Sequence, residues 1–275
     1  MNKLLQAGFL RIRKNRVFIG GLILSFLFIA AILIDQKNQS VQYGHSPRLD
    51  NFLFGGPIAI SIILSVLCSL FVGTEYSDGT IRNKLIVGHT RTGIYFSNFV
   101  LCTFAAALMY LLTLAAAFVL GIPLFGLPTI KLSFFLTLFV DGFLLCVAYA
   151  ALYNMISMLC SSKSHANIIC ILAAFFLLMA GMILLQMLNA PETIPVAEYS
   201  INGEISVEEI ANPQYLTGMK REIYQFFYDL LPGGQVLQLA NLDILHPFRI
   251  AALSLSITIL SSAAGCFFFS RKELK

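Results

Sequence analysis

Long uncharged apolar runs alternate with short polar segments along most of this chain. The runs extend from Val17 to Ile34, from Phe52 to Val72, from Ile94 to about Leu120, from beyond Lys131 to about Leu159, from Ala166 to Leu188, and from Ile250 to Phe269. A bilayer core is crossed by about 20 apolar residues in helical form. A helix satisfies its own backbone hydrogen bonds, as lipid requires. The pattern therefore predicts six spans, at about 17–34, 52–72, 94–120, 133–159, 166–188 and 250–269. Gly121-Ile122-Pro123 opens a Gly/Pro-rich break that ends at Pro128. Period-two alternation is weak, so the sequence does not support a membrane β-barrel.

Two further segments carry structure. Near the start, Leu5, Phe9 and Ile12 share one helical face, while Lys3, Arg11 and Lys14 lie largely elsewhere. This is the pattern of a helix lying in the membrane interface. The apolar run that follows is long enough to span and has no small-x-small cleavage site after it, so it reads as a retained helix rather than a signal peptide. Between the fifth and sixth spans, residues 189–247 form the one sizeable extramembrane piece, with Glu192, Glu198, Glu204, Glu208, Glu209, Glu222, Asp229 and Asp243 opposed only by Lys220 and Arg221. Asn202-Gly203 is a hairpin-type turn signal. Ser206 with Glu209 fits a capping box for a short helix. Met219, Ile223, Phe226, Phe227 and Leu230 make an amphipathic stripe that Pro232-Gly233-Gly234 would end. The expected fold is an all-α integral membrane protein: six transmembrane helices, an N-terminal interfacial helix, and a small external domain between helices 5 and 6.

Composition sharpens this picture. Of 275 residues, 58% are hydrophobic and only 12% charged, with a mean hydropathy of +0.82. Soluble domains carry about a quarter charged residues, so much of this chain is built for lipid. A net charge of +4 is modest and gives no reason to expect nucleic acid as a partner. The six cysteines fall in or beside apolar runs without metal-ligand spacing and read as small buried hydrophobes. No metal or cofactor is expected in the chain itself. Twelve of the 18 basic residues (Lys3, Arg11, Arg13, Lys14, Arg16, Arg82, Lys84, Arg91, Lys163, Arg271, Lys272 and Lys275) fall in segments on the side of the chain's two ends. The positive-inside rule then places both ends in the cytoplasm of a multi-pass plasma-membrane protein, with a bacterial cell membrane as the expected setting.

The connection between the second and third spans, Phe71 to Arg91 with residues 75–91 as its cytoplasmic segment, is the most informative stretch. Glu75 and Asp78 lie near the start of an expected short helix, Arg82 and Lys84 follow, and Gly88 is a plausible stop. Ile81, Leu85 and Ile86 offer an apolar edge that a solvated turn would not need. The arrangement Glu75, Gly79-Thr80, Arg82, Leu85, Arg91 resembles the cytoplasmic loop of ABC-2 type transporter permeases, and the order of elements along the chain is similar to theirs. The resemblance implies a coupling helix that docks on a separate ABC ATPase subunit, a second permease subunit of the same or another kind, and ATP and Mg bound by the partner. Glu75, Arg82, Lys84, Leu85 and Arg91 become the candidate coupling residues. The resemblance further implies export, and for subunits this short, cargo such as an antimicrobial peptide or a lipid-like molecule.

Other features weigh less. Leu231-Pro232-Gly233-Gly234-Gln235 looks like an ABC ATPase signature, but the chain has no Gly-x-x-x-x-Gly-Lys-Ser/Thr loop to hold phosphates. Asp141, the one formal charge well inside a span, marks either a polar point on the cargo path or a packing contact across a dimer, unless the fourth span begins late and leaves it at the outer interface. His45, His89, His165 and His246 are dispersed over four segments. Ser161-Ser162-Lys163-Ser164-His165 reads as an interhelical turn or a second ATPase contact, and Asn38-Gln39-Ser40 as a glycosylation sequon on an external loop. The alternatives are a secondary transporter, which would show paired broken helices, and a membrane-embedded enzyme or scaffold, for which no catalytic groups converge.

Overall fold

The computed structural model describes residues 2–44, 46–199 and 205–273. Its helices are α1 (Asn2–Arg13), α2 (Arg16–Tyr43), α3 (Gly56–Ser77, preceded by a 3-10 turn at Leu49–Phe52), α4 (Thr80–Ile86), α5 (Arg91–Phe125), α6 (Leu132–Leu159), α7 (Lys163–Leu188), α8 (Gly218–Leu230), α9 (Pro232–Asn241) and α10 (Pro247–Arg271). Strands β1 (Thr193–Tyr199) and β2 (Ile205–Ala211) form an antiparallel pair in which Thr193 faces Ala211 and Tyr199 faces Ile205. Six helices, α2, α3 with its leading turn, α5, α6, α7 and α10, are long and apolar enough to cross a membrane. The chain is an all-α multi-pass membrane protein, as the hydropathy pattern predicts.

The most enclosed span is α3, packed by α2, α5, α6 and α7. Its Ile60, Leu64 and Cys68 meet Cys102, Ala106 and Met109 of α5 and Cys146 and Tyr149 of α6 in one core. By contrast, α2, α7 and α10 leave large side chains on the outside, among them Ile23, Leu27, Leu172, Phe176, Ile259 and Leu260. In water such a surface would drive aggregation; in a bilayer it is the solvated face.

Helix ends depart from the hydropathy limits. The first span continues as helix through the polar Asp35–Gln42 stretch to Tyr43, because backbone hydrogen bonding does not stop where the apolar run does. Asn38-Gln39-Ser40 therefore lies on α2 rather than on a loop. The third span passes Gly121 and Pro123, expected to break it, and ends at Phe125. A proline one turn from a helix end removes one backbone bond, which a long helix tolerates. The real turn is at Gly126, where φ is 84°. Asp50, in the turn before α3, accepts the Thr129 backbone N–H at 3.0 Å, the Thr129 hydroxyl at 2.6 Å and the Ile130 N–H at 3.2 Å. That pins the loop after α5 to the same end of the bundle.

The segment after α7 differs most from expectation. Ser206 and Glu209 lie on β2, so no helix begins there; strand pairing with β1 takes up the backbone donors that a capping box would serve. The Asn202-Gly203 turn signal lies outside the described residues, as does His45. The stripe Met219, Ile223, Phe226 and Phe227 faces outward on α8, and the inward face carries Tyr228 and Asp229. Pro232-Gly233-Gly234 does end α8, but it also opens α9, with Pro232 in the first turn. A Cβ on Gly181 of α7 would lie 2.5 Å from the Gly233 backbone, and one on Gly233 would collide with the Leu177 carbonyl. Glycine is needed there because two helix backbones touch. The result buries α9 against α7, α6 and α3 instead of leaving a turn in solvent.

Candidate functional site

The connection between α3 and α4 is a tight turn. Gly79 adopts φ 66°, a left-handed conformation that costs glycine nothing, and lets α4 start immediately after α3. The Thr80 hydroxyl donates to the Glu75 carbonyl at 3.0 Å. At the other end, the Gly88 N–H reaches Leu85 O at 2.9 Å and the His89 N–H reaches Lys84 O at 3.0 Å. With φ 95° at Gly88, this is a Schellman closure. The predicted stop at Gly88 is where α4 ends.

Glu75 is not at the start of the loop helix. It sits in the last turn of α3, 2% exposed, and joins four elements. Arg11 of α1 donates to its Oε1 at 2.5 Å, and the Lys84 ammonium of α4 pairs with the same oxygen. Asn98 of α5 donates to Oε2 at 2.9 Å. The Arg11 guanidinium also donates to the Phe71 carbonyl at 3.2 Å and lies 3.8 Å from the centroid of the Phe71 ring. A buried carboxylate needs paired charge and hydrogen bonds to offset its desolvation, and Glu75 has both.

The five coupling candidates therefore divide. Glu75 and Lys84 form one ion-paired joint, with the carboxylate buried and the ammonium half-buried. Leu85 is half-buried and packs on the core. Ile81, expected on the apolar edge, is 2% exposed and belongs to the interior. Arg82 is exposed. The outward apolar edge is made by Ile86, 82% exposed, and Val87, 79% exposed. Arg91, in the first turn of α5, turns the other way: its guanidinium donates to the Phe269 carbonyl at 3.2 Å and to the Lys272 carbonyl. Lys272 in turn donates to the Tyr76 hydroxyl and the Met158 carbonyl, each at 3.2 Å, while Tyr76 donates to that same carbonyl. Burial holds the Lys272 ammonium below its ordinary pKa, with Cys160 opposing the shift. The ends of α3, α6 and α10 are thus tied together beside α4. A cavity of about 570 Å³ opens among Glu75, Tyr76, Gly79, Arg82, Ser161 and Glu273.

Arg11, Asn98 and Lys272 were not among the predicted residues. A signal existed for Arg11: positions 4, 8, 11 and 12 form one helical stripe, and Leu4, Gly8 and Ile12 of that stripe are buried. Asn98 and Lys272 carry no comparable sequence signal.

Asp141 lies ten residues into α6 and is 2% exposed. Its Oδ2 is buried without a hydrogen-bond partner among the described residues. At the opposite end of the bundle, Asp229 of α8 is fully buried and paired with Arg249 of α10. It also accepts from Gln225 at 2.8 Å and Gln238 at 3.0 Å. Gln235 of α9 donates to the Asp229 carbonyl at 2.7 Å and accepts from Ser254 of α10 at 2.7 Å. The glutamine of the misleading Leu-Pro-Gly-Gly-Gln motif is a structural crosslink.

Comparison with known families finds one described as ABC-2 family transporter protein, matching residues 4–181. That stretch runs from α1 through most of α7 and includes the Glu75 joint and α4. A search of curated proteins finds no match. With the match covering more than half of its length, and six helices suited to crossing a membrane, the chain belongs to the ABC-2 family of transporter proteins.

Proposed function

We propose that this chain is the permease subunit of an ATP-driven exporter, that the α4 end of the bundle faces the cytoplasm, and that α4 receives the stroke of a separate ABC ATPase. The observation that carries the reading is the character of α4. It is a seven-residue helix that presents Arg82 and Ile86 outward, with the exposed Val87 at its C-terminal cap, while the Glu75–Lys84 pair anchors it from behind. Exposed isoleucine and valine at a polar end of a membrane protein favour a protein partner that covers them.

In this reading the coupling residues have distinct roles. Arg82, Ile86 and Val87 touch the ATPase. Glu75 and Lys84 hold α4 to α3, with Arg11 bringing in α1. Leu85 seats α4 on the core, and Arg91 passes displacement to the end of α10. ATP and Mg belong to the partner. A second permease subunit would complete the path, with the exposed faces of α2, α7 and α10 available for lipid or for that subunit. The cargo is an amphipathic or hydrophobic molecule such as an antimicrobial peptide or a lipid-like compound. Asp141 is the candidate polar point on its path, reached when α5 and α6 part.

The test is capture of the ATPase subunit by the solubilised permease. Ile86→Asp and Arg82→Glu lie on exposed positions and should leave folding intact while reducing capture at least tenfold. Unchanged capture and transport with both substitutions would remove α4 from the coupling interface.

A further inference from the structure

The turn between α1 and α2 carries charge that the chain does not use. The first 34 residues contain Lys3, Arg11, Arg13, Lys14 and Arg16 and no acidic residue. Arg11 is taken up by Glu75. Arg13, Lys14 and Arg16 are exposed and form no ion pair among the described residues.

Their depth is fixed by the fold. The apolar run of a membrane-crossing helix starts at Val17, directly after Arg16. The turn is capped: the Asn15 side chain accepts from the Val17 N–H at 2.8 Å and the Phe18 N–H at 3.3 Å. The three cations therefore sit at the polar end of a helix whose length and composition suit it to cross a membrane, the level at which hydrocarbon would give way to headgroups. On α1, Phe9 is 36% exposed and packs edge-on, 4.9 Å between centroids, against Phe104 on the flank of α5. Apolar contact beside unpaired cations at this depth matches an anionic phospholipid surface.

We infer that Arg13, Lys14 and Arg16 form a docking surface for the phosphate groups of anionic phospholipids, which set the height of α1 and, through Arg11–Glu75, the seat of α4. The docking itself requires only the membrane-spanning fold. It stands or falls separately from the ATPase reading.

The chain has no tryptophan, so Phe9→Trp introduces a single emitter beside the proposed surface. The full-length variant is reconstituted in phosphatidylcholine vesicles containing a minor fraction of brominated lipid. Brominated phosphatidylglycerol is expected to show at least about a fivefold preference over brominated phosphatidylcholine at the emitter, the contribution of one basic residue at low ionic strength. The preference should fall in high salt and disappear when Arg13→Gln, Lys14→Gln and Arg16→Gln are combined. If that triple variant does not fold, the salt series on the Phe9→Trp protein decides. Equal quenching by the two lipids overturns the inference, as does a preference that survives both the triple substitution and salt. Equal quenching with loss of ATPase capture in the triple variant also overturns it and reassigns the surface to a protein partner.

Discussion

At the residue scale, Glu75 shows how burial changes the meaning of a charge. Read along the chain, it is one acid in a polar loop. In the fold it is a nearly inaccessible carboxylate with Arg11, Lys84 and Asn98 around it. Removing Glu75 leaves Arg11 and Lys84, which are 34% and 22% exposed, facing each other without their shared counter-ion but within reach of water. Glu75→Ala should therefore cost about 1–3 kcal/mol and lower the thermal midpoint of the detergent-solubilised protein, with Glu75→Gln intermediate because it keeps a hydrogen-bonding amide. The Asp229–Arg249 pair invites a double-mutant cycle. Asp229→Asn and Arg249→Gln should show a coupling energy of about 1–3 kcal/mol, measured by denaturant unfolding. Additive effects would mean the pair is incidental to the packing around it. The sequence places Glu75 in a polar connection; its pairing with Arg11, 64 positions away, is visible only in the fold.

At the element scale, the apolar runs of the spans were readable, while helix ends and short helices were less so. Hydropathy reports where lipid is tolerated, and helices continue past that limit, as α2 does through Asp35 and Lys37. The stretch Leu231–Gln235 illustrates the harder case. Proline and two glycines usually punctuate a chain, and here they do end α8. The same residues also let α9 approach the backbone of α7, which only the three-dimensional contact with Gly181 reveals. Gly181→Leu should force the two helices apart and destabilise the bundle by about 1–3 kcal/mol. Faster proteolysis of the connection between α7 and α8 would report it. If cleavage of that connection proceeds at the wild-type rate, the close approach of α7 and α9 carries little of the stability.

At the scale of the whole molecule, alternation of spans predicts which segments share an end, and the structure agrees in its contacts. Around the Glu75 joint lie α1, α4, the first turn of α5, the turn after α6 and the end of α10. At the far end lie Asp50 with Thr129, the β1–β2 pair and α8. Single-cysteine labelling should find Arg82→Cys and Met219→Cys accessible from opposite sides of sealed vesicles. None of the six native cysteines is exposed, so their background reactivity should be small. Labelling of both positions from one side would break the six-span arrangement. The family match stops at residue 181, inside α7. The segment beyond it is also where sequence patterns misjudged most, because its burial depends on α7 and α10 rather than on its own periodicity.

The burial of α9 has a mechanical consequence. Its glycines touch α7, its Gln235 holds Ser254 of α10, and α8 is fastened to α10 through Arg249. These bonds make α7 and α10 two jambs joined by one lintel. Any passage that widens between them must either carry the lintel along with one jamb or unfasten Arg249 from Asp229 on every cycle.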